Sequence, residues 1–423
     1  MNRNLALAIV RSLSVTVSLA GHLEHLKTFS SRDWESTLSW LDDSGLALYL
    51  LDVVERAGGA DELPARVRAA LRTRLDFNRQ RLAHMKREFD SLGRAFQRAG
   101  VDYAVLKGFS LVLAYVPDAC LRSQYDYDFL VDPRSLETAK QVLTTAGLCE
   151  KSQSPGLDPQ GVTSFVGEPL GCSFSGEEWY SWRIPRRVEL HLDLWEYDRD
   201  GIRLALPEGV LQRKRSASWE GLWFPVLADE DALLFQCLHA FHHILDYWCR
   251  PSCFLEIAQF LAGRALDRSF WHSFRSRVSR DPNLSDITSL VFCLASELFG
   301  APVPTEFDLG GATHRSRALD RWVRLYGIGW SLTRFPGSKL SLLLHREFVE
   351  DPALWRQVRR SRLLPFHRPA RVAEPRQSNL SSNWKAVWQQ WRFAVARFRC
   401  HLLGLTTYAW HLRGWNRRIG RGS

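Results

Sequence analysis

A chain of 423 residues, 45% hydrophobic and 24% charged, has the composition of a folded protein with more than one core, which excludes a disordered chain and a small disulfide-stapled domain. No run of about 18 uninterrupted apolar residues occurs, so no transmembrane span is expected. The formal charge of +10 suits phosphates, nucleic acid or an anionic membrane face, but from Arg356 onward fifteen Lys and Arg oppose a single acid, Glu374, so the remainder is close to neutral.

Taken in order, the apolar stretch Leu5 to Ala20 is interrupted by Arg11 and several Ser and Thr, which predicts an ordinary helix rather than a signal peptide. Helical spacing continues through Trp34, Leu38, Leu41, Leu48 and Leu51. Arg74 to Phe96 reads as a long charged helix with Leu82, Met85, Phe89, Leu92 and Phe96 on one buried stripe. The pattern then changes to a short β-rich run, Val101 to Leu106, a tight turn at Lys107-Gly108 and a helical stretch, Phe109 to Tyr115. Asp126 to Val131 is a second strand. Asp132 to Ala146 is a helix, with Asp132 as cap, Pro133 in the first turn and Gly147 as its end.

Residues 151–186, rich in Gly, Ser and Pro, read as a functional loop or disordered insertion. From Val188 to Leu194 the residues alternate: Val188, Leu190, Leu192 and Leu194 on one face, Glu189, His191 and Asp193 on the other. Helices return at Asp229, a candidate cap, and continue to about residue 350. An Arg- and Pro-rich linker then leads to a Trp- and Arg-rich end. Four regions follow: a helical region 1–98, a core 99–200, a helical region 201–350 and a basic tail 351–423. No internal repeat is present. The eight Cys lack the dense framework of secreted domains, which points to a reducing cytoplasm.

The chemistry concentrates in Asp126-Tyr127-Asp128. A strand period of two sets both carboxylates on one face, where they repel unless a cation lies between them. Magnesium prefers one or two carboxylates plus phosphate oxygens, so the pair suggests a metal and phosphate site. A permanent Lys or Arg in that space would remove the need for an ion. The polar face of the later strand offers a third acid, Glu189, with His191 and Asp193 alongside; alternation alone does not choose among them.

The stretch LKGFSLVLAY (106–115), Arg122, DYDFLV (126–131) and VELH (188–191), in this order, resembles the bacterial uncharacterised nucleotidyltransferase family of the DNA polymerase β-like superfamily, over roughly residues 30–350. The resemblance implies an α/β (α+β) polymerase β-like core with a small mixed sheet and helices on one side, flanked by N- and C-terminal helical regions. It also implies Asp126, Asp128 and Glu189 as catalytic ligands of Mg2+ or Mn2+. Lys107, Gly108, Ser110 and Arg122 would then contact a nucleoside triphosphate such as ATP. Where many superfamily members carry Gly-Ser at the turn, this chain has Phe109 after Gly108 and serine only at Ser110. The implied reaction moves a nucleoside monophosphate to an acceptor that is a small molecule, a protein or a nucleic acid end.

Two other patterns compete for attention. His239, His242, His243, Cys249 and Cys253 have loose spacing for zinc, with Pro251 between the cysteines, and read as buried helix residues. Trp384, Trp388 and Trp391 beside Lys385, Arg392, Arg397 and Arg399 suit a basic amphipathic helix for an anionic membrane or nucleic acid, or packing against the protein itself. A protein that keeps the fold without turnover, binding nucleotide or a partner, is the alternative to an enzyme.

Overall fold

The computed structural model describes residues 1–16, 20–59, 62–151, 161–167, 176–195, 200–246, 250–309, 313–333, 338–364 and 380–418. Residues 152–160 and 168–175 of the 151–186 insertion, together with Cys249, lie outside them; the rest of the insertion is not all loop, because Val162–Val166 is a strand of the sheet. The chain opens with helices α1 (Arg3–Ser12), α2 (Ala20–Lys27), α3 (Ser31–Ser44) and α4 (Ala47–Arg56). The first begins at Asn2, whose side chain accepts the amides of Asn4 and Leu5, and it buries Leu5, Ile9 and Val10. Ser30 and Asp33 form a reciprocal capping box on α3.

Helix α5 (Ala65–Arg98) is longer at both ends than the predicted segment and carries the predicted stripe: Met85, Phe89, Leu92 and Phe96 are buried. Toward its N-terminus it buries Val67 and Leu71 in another core, and between these two apolar stretches it buries polar residues, Arg74, Asn78 and Arg81. Arg74 grips the Asp42 carboxylate at 2.7 and 2.9 Å, and Asn78 donates to the carbonyls of Cys120 and Arg122 at 2.7 and 3.1 Å. One helix therefore serves two purposes along its length, apolar support for a sheet and polar anchorage for the loop that carries Arg122.

The strands are β1 (Tyr103–Val105), β2 (Asp126–Val131), β3 (Cys149–Glu150), β4 (Val162–Val166), β5 (Arg187–His191), β6 (Arg215–Trp219) and β7 (Leu222–Val226). They form a seven-stranded mixed sheet in the order β3-β4-β5-β2-β1-β7-β6. β2 runs parallel to β5 and β1 parallel to β7, with the other pairs antiparallel. The β6–β7 hairpin comes from a segment whose short strands gave no clear signal in sequence. Between β2 and β3, α6 (Leu136–Thr145) follows a short 3-10 turn, with Asp132 accepting the amide of Arg134. Gly147, at φ +82°, ends that unit in the left-handed region that favours glycine.

After the sheet come α7 (Asp229–Leu245) and α8 (Pro251–Gly263), further helices to Leu363, and a long helix, Leu380–Arg418. Asp229 does not cap α7: its carboxylate pairs with Arg215 and Arg264, while Ala228 holds the cap position without a side-chain bond.

Both faces of the sheet are covered, rather than one. Tyr103, Val105, Tyr127, Phe129, Val188 and Leu190 share a core with α5 and α6. Ala104, Leu106 and Leu130 point the other way, into a larger core with Leu233, Leu234 and Phe235 of α7 and with the N-terminal helices. Phe89 is the hub of the first core, with ring centroids 4.5 Å from Phe109, 5.2 Å from Phe224 and 6.1 Å from both Tyr127 and Phe129. Phe89→Ala should therefore cost about 3–5 kcal/mol in urea unfolding, from lost transfer energy and the cavity left behind. A loss below about 1 kcal/mol would show that this helix face does not support the sheet.

Candidate active site

Register between two parallel strands builds the site. Asp128 of β2 lies opposite Glu189 of β5, and Asp126 opposite Arg187. Because Tyr127, Phe129, Val188 and Leu190 are committed to the apolar core, the period of two turns Asp126, Asp128, Glu189 and His191 to the other face. Asp128, Glu189 and His191 each bring one ligand atom within 4.8 Å of the others. His191 Nε2 is 3.1 Å from Asp128 Oδ1 and 3.8 Å from Glu189 Oε2. Glu189 thus arrives beside Asp128 as anticipated, and His191, visible in the alternation but not singled out, arrives with it. Asp193 does not: β5 ends at His191, and Asp193 is exposed with its carboxylate on the Leu194 amide.

Asp126 stands at the rim, outside that three-residue group, with its side chain 36% exposed against 0% for Asp128. Lys107 reaches both. Its Nζ is 2.8 Å from Asp128 Oδ1 and 3.9 Å from Asp126 Oδ2. The lysine placed in sequence beside a phosphate is therefore an internal counterion of the carboxylates. Asp128 Oδ1 takes both Lys107 and His191, whereas Oδ2 is buried with no hydrogen-bond partner.

The electrostatics follow from this packing. Burial opposes charge on Lys107 and on Asp128, but their attraction outweighs it: the lysine is raised, and Asp128, aided also by His191, is held below the usual carboxylate range. For Glu189, burial and then the negative Asp128 outweigh the pull of Lys107 and His191 and push it up to about 7. Asp126 is raised by the same two causes in the same order.

The Lys107-Gly108 turn also makes room for a neighbouring side chain. Gly108 has φ +68°, and a Cβ there would lie 2.1 Å from Gln124 Nε2. That amide donates to the Asp126 carbonyl at 2.9 Å, so the absent side chain makes room for the group that pins the start of β2. The predicted helix beyond the turn is a six-residue 3-10 segment, Gly108–Leu113. Ser110 is half-buried, and its amide donates to the Lys107 carbonyl at 3.4 Å.

Arg122 is committed at one end only. Its Nε lies 3.2 Å from Glu256 Oε1 of α8, which also accepts Tyr49 OH at 3.3 Å, while Nη1 is buried without a hydrogen-bond partner. Burial opposes its charge, and Glu256 more than restores it. Beside it Arg250 donates to Ser123 Oγ at 2.8 Å, and the guanidinium groups of Arg81 and Arg250 lie 4.3 and 5.7 Å from the centre of the Tyr125 ring. Glu256, Tyr49 and Arg250 had no signal in sequence because they come from distant segments.

On α7, Phe235 lies between His191 and His239, at 6.4 and 6.0 Å between ring centres. Burial, then the nearby Lys107 charge, holds His239 well below its ordinary value and hence neutral. His242 pairs with Asp200 at 2.9 Å and with Asp246 at 3.4 Å.

Two buried polar atoms of this region, Asp128 Oδ2 and Arg122 Nη1, have no hydrogen-bond partner. A solved structure titled as an antigenic nucleotidyltransferase-like protein from Paracoccidioides brasiliensis is similar at 15% identity, covering 47% of this chain and 89% of that one. Its TM-score is 0.27. No curated protein matches the chain. The family model described as uncharacterised nucleotidyltransferase matches residues 30–300, a span that holds both acidic strands, Lys107, Arg122 and Glu256. That match covers more than half of the chain, which therefore belongs to the uncharacterised nucleotidyltransferase family.

Proposed function

We propose that the chain transfers a nucleoside monophosphate from a nucleoside triphosphate such as ATP to an acceptor hydroxyl or phosphate, with Mg2+ or Mn2+ as cofactor, in a polymerase β-like site exposed to the bacterial cytoplasm. The observation that carries this reading is the convergence of Asp128, Glu189 and His191, whose ligand atoms lie within 4.8 Å of one another, together with a second Asp128 oxygen, Oδ2, that is buried and has no hydrogen-bond partner. Two carboxylates and an imidazole are a suitable donor set for a divalent ion, and an orphaned buried acceptor is costly without one. Asp128 and Glu189 would hold the ion, with Asp126 or His191 completing the set. A bound ion supplies charge neutralisation at the triphosphate and lowers the pKa of a coordinated oxygen.

The chain's own groups do the rest. Lys107 keeps Asp128 ionised and adds positive charge beside the strand. Arg122, fixed by Glu256, keeps one donor without a hydrogen-bond partner, and its guanidinium would match the geometry of phosphate oxygens. Asp126, more exposed than Asp128, is the acid an acceptor could reach most readily. In the transfer the acceptor oxygen forms a bond to the α-phosphorus, the bond to the bridging oxygen breaks, pyrophosphate leaves, and the acceptor proton passes to a carboxylate or water.

A second reading is favoured by one observation: Lys107 already stands between Asp126 and Asp128. If that ammonium is the only cation the acids ever hold, the chain binds nucleotide or a partner without turnover. The two readings separate on metal binding. The enzyme reading expects Mn2+ to bind the native chain, seen by titration calorimetry. Lys107 as permanent cation expects no binding until Lys107→Met opens the place.

Metal affinity should also rise with pH up to about 7, roughly tenfold per unit while Glu189 must lose its proton to bind. The sign for stability is opposite in the metal-free protein. A carboxyl raised from 4.5 to about 7 by burial and Asp128 stabilises the fold at low pH, and that contribution is lost as pH climbs between those values. Glu189→Gln should flatten both profiles in calorimetry and thermal melts, and unchanged profiles would remove Glu189 from the ion site.

With radiolabelled nucleoside triphosphates and candidate acceptors, native protein should release pyrophosphate. Asp128→Asn should reduce this by at least about a hundredfold, in the range found when one charge-stabilising group is lost from an active site. Equal release from native and Asp128→Asn proteins would place the activity elsewhere.

A further inference from the structure

The helix Leu380–Arg418 divides into two halves with opposite habits. Its C-terminal half is docked: Tyr408 and Trp415 are buried, and Tyr326 OH lies 3.1 Å from His411 Nδ1. A Cβ on Gly404 would come within 3.0 Å of the Lys339 side chain, so the helix is held close to the body there. It packs on the helices Ser341–His345 and Pro352–Leu363.

The N-terminal half does the reverse. Trp384, Trp388, Trp391, Val395, Phe398 and Leu402 recur at steps of four and three, which places them along one stripe of the helix. That stripe faces solvent, its residues keeping between 44% and 74% of their surface exposed. Trp388 and Trp391 stack on one another, with centroids 5.2 Å apart, rather than on the body. The tryptophans are therefore not the packing residues of this helix, a role taken by Tyr408 and Trp415.

Charge decides what could cover the stripe. The helix contains seven Lys and Arg and no Asp or Glu, and Arg392 and Arg399 are exposed along one flank of the stripe. A second copy would set cations against cations with no acid on either helix to relieve them. Single-stranded nucleic acid would satisfy the arginines and stack on tryptophan, but Val395, Phe398 and Leu402 continue the apolar line beyond the tryptophans, an aliphatic surface that bases do not need. A bilayer carrying anionic lipid matches all three features: apolar side chains enter the headgroup boundary, indoles sit at the interface, and arginines meet phosphate. Among the described residues no helix is long and apolar enough to cross a membrane, so on a bilayer this one would lie along the surface. The exposed half, Trp384 to Leu402, is about 27 Å long at a rise of 1.5 Å per residue.

We propose that the exposed stripe Trp384–Leu402, with its flanking arginines, docks the protein on the surface of an anionic phospholipid membrane. The proposal stands independently of the reading of the acidic site.

The test is flotation of the full chain with phosphatidylcholine vesicles made with and without phosphatidylglycerol. Native protein should float only with the anionic vesicles and should be released by added salt. Replacing Arg392 and Arg399 with Glu should lower the partition coefficient by at least about tenfold, since each basic residue near such a surface is worth about fivefold. The pair Trp391→Ser and Phe398→Ser should abolish flotation, with thermal melts matching native for both variants. The proposal is overturned if anionic vesicles are ignored, or if the serine variant floats like native. It is equally overturned if the stripe instead mediates RNA binding in a gel-shift assay or self-association in sedimentation while vesicles are not bound.

Discussion

Asp128 is buried between strands, and the whole candidate site is arranged around making that burial tolerable. An ionised carboxylate taken out of water is unstable unless opposite charge and hydrogen bonds replace the lost hydration. Lys107 supplies the charge and His191 a hydrogen-bond partner, both on the same oxygen, which leaves the second oxygen unsatisfied. The asymmetry is informative. Buried polar groups are mostly hydrogen-bonded, so an orphaned oxygen beside a fully paired one is a departure that calls for a reason. Glu189, directly across the strand pair, bears the consequence as a raised pKa.

The scaffold makes this charge cluster geometrically stable. The strand residues between the acids are aromatic or aliphatic and are locked into the core beneath α5, so the acids cannot rotate away from one another without unpacking Tyr127, Phe129, Val188 and Leu190. The same helix reaches past the sheet: Asn78 and Arg81 hold the carbonyls of loops that flank the strand. Through Glu256, the helical body beyond the sheet then fixes Arg122. Elements from both sides of the sheet in sequence thus converge on one small polar region, and the two hydrophobic cores meet along the strands that carry it.

The C-terminal helix obeys a different constraint. A helix that buries one end and exposes an aromatic stripe at the other is not minimising its own exposed apolar surface, and such a patch on a folded protein marks a place of interaction. Its positive charge and lack of acids direct that interaction toward an anionic surface.

Much of this was legible in the residues alone. Period-two alternation at Tyr127-Asp128-Phe129 and Val188-Glu189-Leu190 was sufficient to place acids on one face of each strand, and steps of three and four predicted the stripe of α5, because each pattern is a local property of backbone geometry. The order of the motifs also carried the family. What the pattern could not contain was register and partnership. Only the pairing of β2 with β5 chose Glu189 and His191 over Asp193, since Asp193 lies past the point where the strand ends. Only packing turned Lys107 inward onto Asp128 and made Gly108 a space for Gln124. Tyr49 and Glu256, and the two faces of the last helix, belong to the same class. Their roles depend on distances between segments far apart in the chain, which side-chain volume and charge settle only once the whole fold is assembled.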